Sequence, residues 1–344
     1  MVTAVFPSPR LLGLNESPYP PLPSVQKAIR ATADRAHRYP PFHPDRLARR
    51  IAGWCGVDGD AVAVGSGSVG VALQLLQAVV RPGDRMVYAW PGFDAYPMLA
   101  TMAGAEPVPV PLLPDGRQNL AALAGAIDAT TSVVVVCNPH NPTGSLVTAS
   151  ELAEFLAGVP ERVTVLLDEA YIEFVRHPAA PDSLPLLAGR PNLLVLRTFS
   201  KAYGLAALRV GYGLGDPRLV ARIRQQQLPY GVNAVAAAAV EATLQAGEEL
   251  TARVDAVICE RERLHRRLAR YGLPVLPSQA NFLWLAAGPD TGTDRTVHAL
   301  NTARIHIRHW PAEGIRLTVG RREDGDAVLS VLAPAGKSRG PVSG

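Results

Sequence analysis

Cysteine is scarce in this chain: Cys55, Cys137 and Cys259 are the only three in 344 residues. An odd number of cysteines set so far apart matches neither a disulfide framework nor a metal-ligand spacing, and reads as reduced thiols. Long apolar runs are missing as well. The longest, such as Val133 to Cys137 and Val235 to Val240, fall far short of the roughly 18 residues that would span a bilayer. Met1 to Arg10 has neither the basic start nor the apolar stretch of a secretory signal, so the expectation is a cytoplasmic protein without membrane association. No single charge dominates. Lys and Arg number 34 against 30 Asp and Glu, a net of +4, and the two signs interleave, as in Glu260-Arg261-Glu262-Arg263. A nucleic-acid groove calls for a one-sign stripe with aromatics among it, and none is found. The run from Glu260 to Arg270 reads as a solvated helix face.

What is present is the composition of a folded globular protein, 48% hydrophobic and 19% charged, at a length that suits about two domains. From about Ala61 to Gly213, short β-branched runs alternate with helical stretches, which predicts an α/β domain with a mostly parallel sheet. The expected strands are Ala61 to Val64, Arg85 to Ala89, Pro107 to Val110, Ser132 to Cys137, Val163 to Leu167, Leu193 to Arg197 and Val210 to Gly213. Helices are expected between them at Val69 to Val80, Tyr96 to Ala103 and Ser150 to Ala157. After Gly231 the pattern changes to an Ala-rich helix, a long charged helix over Glu248 to Tyr271, short strands at Phe282 to Leu285, Ile305 to Arg308 and Ile315 to Val319, and a last helix near Asp324 to Leu332. This reads as a smaller α+β layer.

The chemistry is concentrated at strand ends. Arg197-Thr198-Phe199-Ser200-Lys201 puts hydroxyls three and one residues before a lysine where an apolar strand leaves the sheet, and Arg209 follows. Read alone, this is as well a surface lysine in a Ser-rich turn. At a strand's end, however, a lysine can be partly desolvated and serve as a Schiff-base amine, while Thr198, Ser200 and Arg209 hold a phosphate. Two more strand ends carry complementary groups: Asp168-Glu169-Ala170-Tyr171, and Asn141 in the loop Asn138-Pro139-His140-Asn141-Pro142-Thr143-Gly144. Together these groups match the needs of pyridoxal phosphate. A carboxylate keeps the pyridine nitrogen protonated, a phenol and an amide bond the ring's phenolic oxygen, and a lysine forms the imine. The turn Gly65-Ser66-Gly67-Ser68-Val69-Gly70 opens a helix and makes an anion seat. Its glycines also fit a dinucleotide fold, but the acid expected about 20 residues on is absent, since the next strand runs into Trp90-Pro91-Gly92.

Asn141-Pro142-Thr143-Gly144, Asp168 to Tyr171 and Ser200-Lys201 with Arg209, in this order and spacing, resemble the fold-type I aminotransferases of pyridoxal phosphate. Within these the chain is similar to the histidinol-phosphate aminotransferase family, and most to its actinobacterial phenylalanine or aromatic branch. The likeness covers about residues 10 to 333 and includes Asn15-Glu16, Arg38-Tyr39-Pro40, Ala95-Tyr96-Pro97, Gln279-Ala280-Asn281-Phe282 and Gly314 to Gly320. The resemblance implies a mostly parallel seven-stranded sheet sandwiched by helices, with a smaller α+β domain. The expected division is 1–38 for an N-terminal arm and part of the small domain, 39–232 for the coenzyme domain, 233–334 for the small domain, and a disordered tail at 335–344.

By the same resemblance Lys201 is the imine lysine and the proton shuttle, Asp168 faces the ring nitrogen, and Tyr171 and Asn141 face the phenolic oxygen. Gly67, Ser68, Thr198, Ser200 and Arg209 hold the phosphate, and Phe93 stacks on the ring. Tyr39 reaches the coenzyme of a neighbouring subunit, which implies a homodimer. Arg316 clamps the substrate carboxylate, and Arg308, Tyr19 and Asn281 are substrate-binding candidates. The implied reaction is ping-pong transfer of an amino group between an aromatic amino acid and a 2-oxo acid, with glutamate as the partner donor. Histidinol-phosphate aminotransferase is the alternative; a decarboxylase on the same fold and a non-catalytic coenzyme-binding protein are more remote. Val69-Gly70, where many histidinol-phosphate enzymes carry Asp-Glu, follows the aromatic branch, whereas His140 and Ala207 depart from the usual Asn and Gly. His306 and His309 lack a third metal ligand and read as surface or core residues, and Tyr96, Phe155 and Phe174 as packing.

Overall fold

The structure is a computed structural model and describes residues 9–288 and 292–334. The tail expected at 335–344 lies outside the described residues. Seven strands form the central sheet, in the spatial order Val62–Gly65, Gly211–Gly215, Leu193–Thr198, Thr164–Asp168, Thr131–Cys137, Arg85–Trp90 and Glu106–Pro111. Gly211–Gly215 runs antiparallel to both of its neighbours, and every other pair is parallel. All seven expected strands are present, with ends displaced by a residue or two.

The central strands read as continuous apolar runs because both faces are covered. Alternate side chains of the same strands feed two cores. Val133, Val135, Leu166, Leu194 and Leu196 pack against the helices Gly67–Val79, Ala95–Met102 and Pro217–Arg224. Val134, Val136, Val165, Leu167 and Val195 face the other way, toward Asp45–Cys55, Ala149–Gly158 and the 24-residue helix Gly247–Arg270. Cutting a side chain such as the fully buried Leu166 back to Ala would cost about 2–5 kcal/mol.

The second layer is a four-stranded antiparallel sheet in the order Arg308–Trp310, Gly314–Thr318, Phe282–Ala286 and Val275–Leu276. One expectation needs correcting here. The single strand read at Ile305 to Arg308 is two: Ile305–His306 pairs in parallel with Arg10–Leu11, while Arg308–Trp310 joins the four-stranded sheet. The break at Ile307 lets one short segment serve two sheets. Among the described residues no helix is long and apolar enough to cross a membrane, and no group of three or more His, Cys, Asp and Glu is placed to hold a metal ion.

Candidate active site

The carboxyl ends of the parallel strands open into a cavity of about 380 Å3. Ser68, Phe93, Asn141, Asp168, Tyr171, Thr198, Ser200, Lys201, Arg209, Arg308 and Arg316 all line it. Adjacent parallel strands bring Cys137 opposite Asp168 and Asp168 opposite Leu196, so the loops that leave them carry Asn141, Tyr171 and Lys201 to one place. Asn138 braces that end: its backbone N–H donates to the Asp168 carbonyl at 2.8 Å, and its side chain bonds Val147 twice.

Asp168 is buried, and burial raises its pKa. It is not bare. The Tyr96 hydroxyl donates to Oδ2 at 2.8 Å and the Ala170 backbone N–H donates to Oδ1 at 3.1 Å, and both bonds, with the nearby Lys201 charge, favour the carboxylate. The Lys201 ammonium donates to the Leu14 carbonyl at 2.9 Å. Burial, reinforced by the charges of Arg316 and Arg209 against those of Glu16 and Asp168, pulls its pKa down to about 8. Roughly a tenth of such amines are neutral at pH 7, against ~0.03% for an ordinary lysine.

One end of the cavity is shaped for an anion. The helix Gly67–Val79 points its N-terminus there, Thr198 donates to Ser200 Oγ at 2.9 Å, and Arg209 stands beside them. Arg209 holds a left-handed backbone, φ 52°, with Nη1 donating to the Ala206 carbonyl at 3.0 Å. Such a conformation in a non-glycine residue costs about 1–3 kcal/mol and is held by its surroundings. Gly67 (φ 76°) does not line the cavity but backs it, since a Cβ there would stand 2.6 Å from Arg209 Nη2. Gly211 is equally forced: a Cβ would meet Ser68 N at 2.3 Å.

At the other end Arg316, buried, donates to Asn141 Oδ1 at 2.5 Å and to the Gly13 carbonyl at 2.7 Å, with its guanidinium 5.6 Å from the Phe282 ring and 5.3 Å from the Trp310 ring. Its buried Nε has no protein partner. Arg308 lies directly across the ladder from Arg316 and pairs with Asp94 at 2.9 Å.

Besides Gly67, three expected site residues do not line this cavity. Asn281 is buried beneath it, donating to the Asn15 carbonyl at 3.1 Å. Tyr19 sits between the guanidinium groups of Arg253 and Arg321, 5.8 and 5.5 Å away. Tyr39 is 84% exposed and packs on Tyr230 at 4.8 Å.

The structure also supplies partners that the sequence reading passed over. Tyr96, read as packing, is the donor to Asp168. Asn15, quoted only as part of a motif, adopts φ 55° and donates through Nδ2 to the Tyr171 hydroxyl at 2.9 Å. His140 is fully buried with Nε2 at 2.9 Å from the Pro91 carbonyl, tying the Asn141 loop to the turn before Phe93. Burial lowers its pKa to about 4, so the ring is neutral.

An α/β sheet with a desolvated lysine, a buried carboxylate, an anion cradle and a second arginine around one cavity defines an enzyme for small anionic substrates. The comparisons specify which. The aminotransferase class I and II description matches residues 10–332, and the chain belongs to that family. It is 45% identical over 326 residues to the aromatic amino acid aminotransferase of Cutibacterium acnes, covering 95% of this chain and 92% of that one. The aromatic amino acid aminotransferase of Thermobifida fusca is 48% identical over 320 residues, with 93% and 88% covered. Among solved structures, histidinol-phosphate aminotransferase from Sinorhizobium meliloti in complex with pyridoxal-5′-phosphate aligns with a TM-score of 0.87 at 30% identity, covering 94% of this chain and 89% of that one. The family and that complex imply pyridoxal phosphate.

Proposed function

We propose that this chain is a pyridoxal-phosphate-dependent aminotransferase that exchanges amino groups between aromatic amino acids and 2-oxo acids, with glutamate and 2-oxoglutarate as the second pair. The observation that carries the reading is the convergence of Lys201, Asp168, Asn141, Tyr171, Arg209 and Arg316 on one cavity. The donor set fits the coenzyme. Gly67 leaves room for the Arg209 guanidinium at the anion cradle, and Asp168, with its two donors, keeps acceptor capacity for a protonated ring nitrogen. When bound, pyridoxal phosphate supplies an electron sink for charge that develops on the substrate α-carbon.

The chain's own residues do the rest. Asp168 would stabilise positive charge on the ring nitrogen, and the bonds from Tyr96 and the Ala170 N–H favour its ionised form against the burial that raises its pKa. Lys201 would anchor the coenzyme through Nζ and, when free, its depressed pKa would make it the base that takes the substrate α-proton. Tyr171 and Asn141 hold the phenolic oxygen, and Phe93 covers the ring. Arg316 binds the substrate α-carboxylate bidentately, giving up its contact with the Gly13 carbonyl and using its unpaired Nε. Asn281 acts by fixing Asn15, and through it Tyr171.

The active unit is a homodimer in which Tyr39, exposed and packed on Tyr230, reaches the coenzyme phosphate of the second copy. The enzyme is cytoplasmic. Purified holoenzyme offered phenylpyruvate and imidazole-acetol phosphate with glutamate tests the reading. Turnover of phenylpyruvate is expected to dominate; turnover of the phosphorylated acceptor alone would replace the aromatic assignment.

A further inference from the structure

We propose that Asp94 sets the side-chain preference of this site by neutralising Arg308. With the pair closed the cavity takes an uncharged aromatic side chain; with it open, Arg308 takes the distal carboxylate of a dicarboxylic acid. The inference rests on the aminotransferase reading above and assigns Asp94 as a specificity-determining residue.

The two residues come from different layers. Asp94 immediately precedes the helix Ala95–Met102 on the large-sheet side, and Arg308 starts the edge strand Arg308–Trp310 of the small sheet. Arg308 Nη2 donates to Asp94 Oδ2 at 2.9 Å, and both line the cavity. In the antiparallel ladder Arg308 stands directly opposite Arg316. Like charges in that position repel, and Arg316 is the more enclosed of the two: it is buried, Asn141 holds it and two aromatic rings flank it. Arg308, by contrast, is half-exposed, with its guanidinium 5.1 Å from the Trp310 ring. It is the movable cation of the pair, and Asp94 is the group that cancels its charge.

Consider the side chain of a bound substrate. The nearby apolar lining is Leu14, Val69 and Phe93, which suits an aromatic ring and leaves the Asp94–Arg308 pair undisturbed. A distal carboxylate in the same place meets the Asp94 carboxylate unless it displaces it from Arg308. An ion pair this exposed is weak, so displacement is cheap, and one site can accept both an aromatic acid and its dicarboxylate partner. A phosphate dianion meets the same Asp94 with twice the charge and is the poorest of the three.

Asp94→Asn holoenzyme provides the test, with two unreactive acids as probes. Glutarate is expected to bind about fivefold tighter than to the wild type, while 3-phenylpropanoate shifts by less than about twofold. The ratio of kcat/KM for 2-oxoglutarate over phenylpyruvate should rise about fivefold, histidinol phosphate should become a better amino donor, and Asp94→Glu should return the ratio toward the wild-type value. Unchanged glutarate affinity together with an unchanged ratio in Asp94→Asn overturns the proposal. Failure of the wild type to transaminate any pair would instead refute the functional reading, and the glutarate comparison would still report on Asp94.

Discussion

The wall of the cavity carried by the seven-stranded sheet is buried and cross-braced: Asp168 receives Tyr96 and the Ala170 N–H, Tyr171 receives Asn15, and Asn138 is bonded on three sides. The wall carried by the four-stranded sheet is looser. Arg316 is buried there, but Arg308 stands 47% exposed on an edge strand and is met only from the opposite layer, by Asp94, itself 44% exposed at a helix start. The contrast separates two tasks. Groups for coenzyme chemistry need fixed positions within a low-dielectric site, where preorganised charge is worth most, whereas groups that accept alternate substrates need freedom to re-pair.

Substitutions on the two walls should therefore fail in different ways. The largest effect is expected from Lys201→Ala, which removes both the coenzyme's amine anchor and the proton shuttle. The purified variant should lack the yellow absorbance of the bound coenzyme and lose turnover by at least about 10^4-fold; near-normal activity would refute the assignment. Next comes Arg316→Gln, which should lower kcat/KM by about 10^2-fold for aromatic and dicarboxylic substrates alike, since the shared carboxylate loses a charge-assisted pair. A loss confined to one class would move Arg316 to the adjustable side of the comparison.

The depressed pKa of Lys201 gives a smaller, pH-dependent signature. Only the neutral amine can capture the coenzyme aldehyde. With a pKa of about 8, the capture rate of the apoprotein should climb about tenfold from pH 7 to 9 and then level off. An ordinary lysine would keep climbing past pH 10, so stopped-flow absorbance over this range separates the two. The smallest effect is expected from Tyr96→Phe. Loss of one buried hydrogen bond, about 1 kcal/mol, should weaken coenzyme affinity about fivefold and raise the Asp168 pKa further, with the side-chain preference unchanged. A changed substrate preference would show that the two walls are coupled.

The braced wall was the more legible one in the sequence. Its strands are β-branched runs that end in polar motifs, so Lys201, Asp168, Asn141 and Tyr171 could be placed at strand ends from local pattern alone. Their supporting partners could not. Tyr96 falls on the apolar period of a short helix, where a phenol and a packing ring look the same until its hydroxyl is seen on Asp168. Asn15 acts across 156 residues and Asp94 across 214, separations over which periodicity carries no signal. The two-residue strand Arg10–Leu11 was too short to stand out, and the paired strand at 305–306 was therefore merged with its neighbour.

The pairing of Arg10–Leu11 with Ile305–His306, and of the Asn15 N–H with Thr318 Oγ1, joins segments about 300 residues apart beside the cavity. A nascent chain can build its parallel sheet long before this happens, because those strands are complete by Gly215. The Arg316 side of the cavity exists only once residues 305–318 have emerged and paired with residues 10–15. Closing so large a loop is slow. During synthesis the large-sheet wall of the cavity can thus form before the wall that carries Arg316.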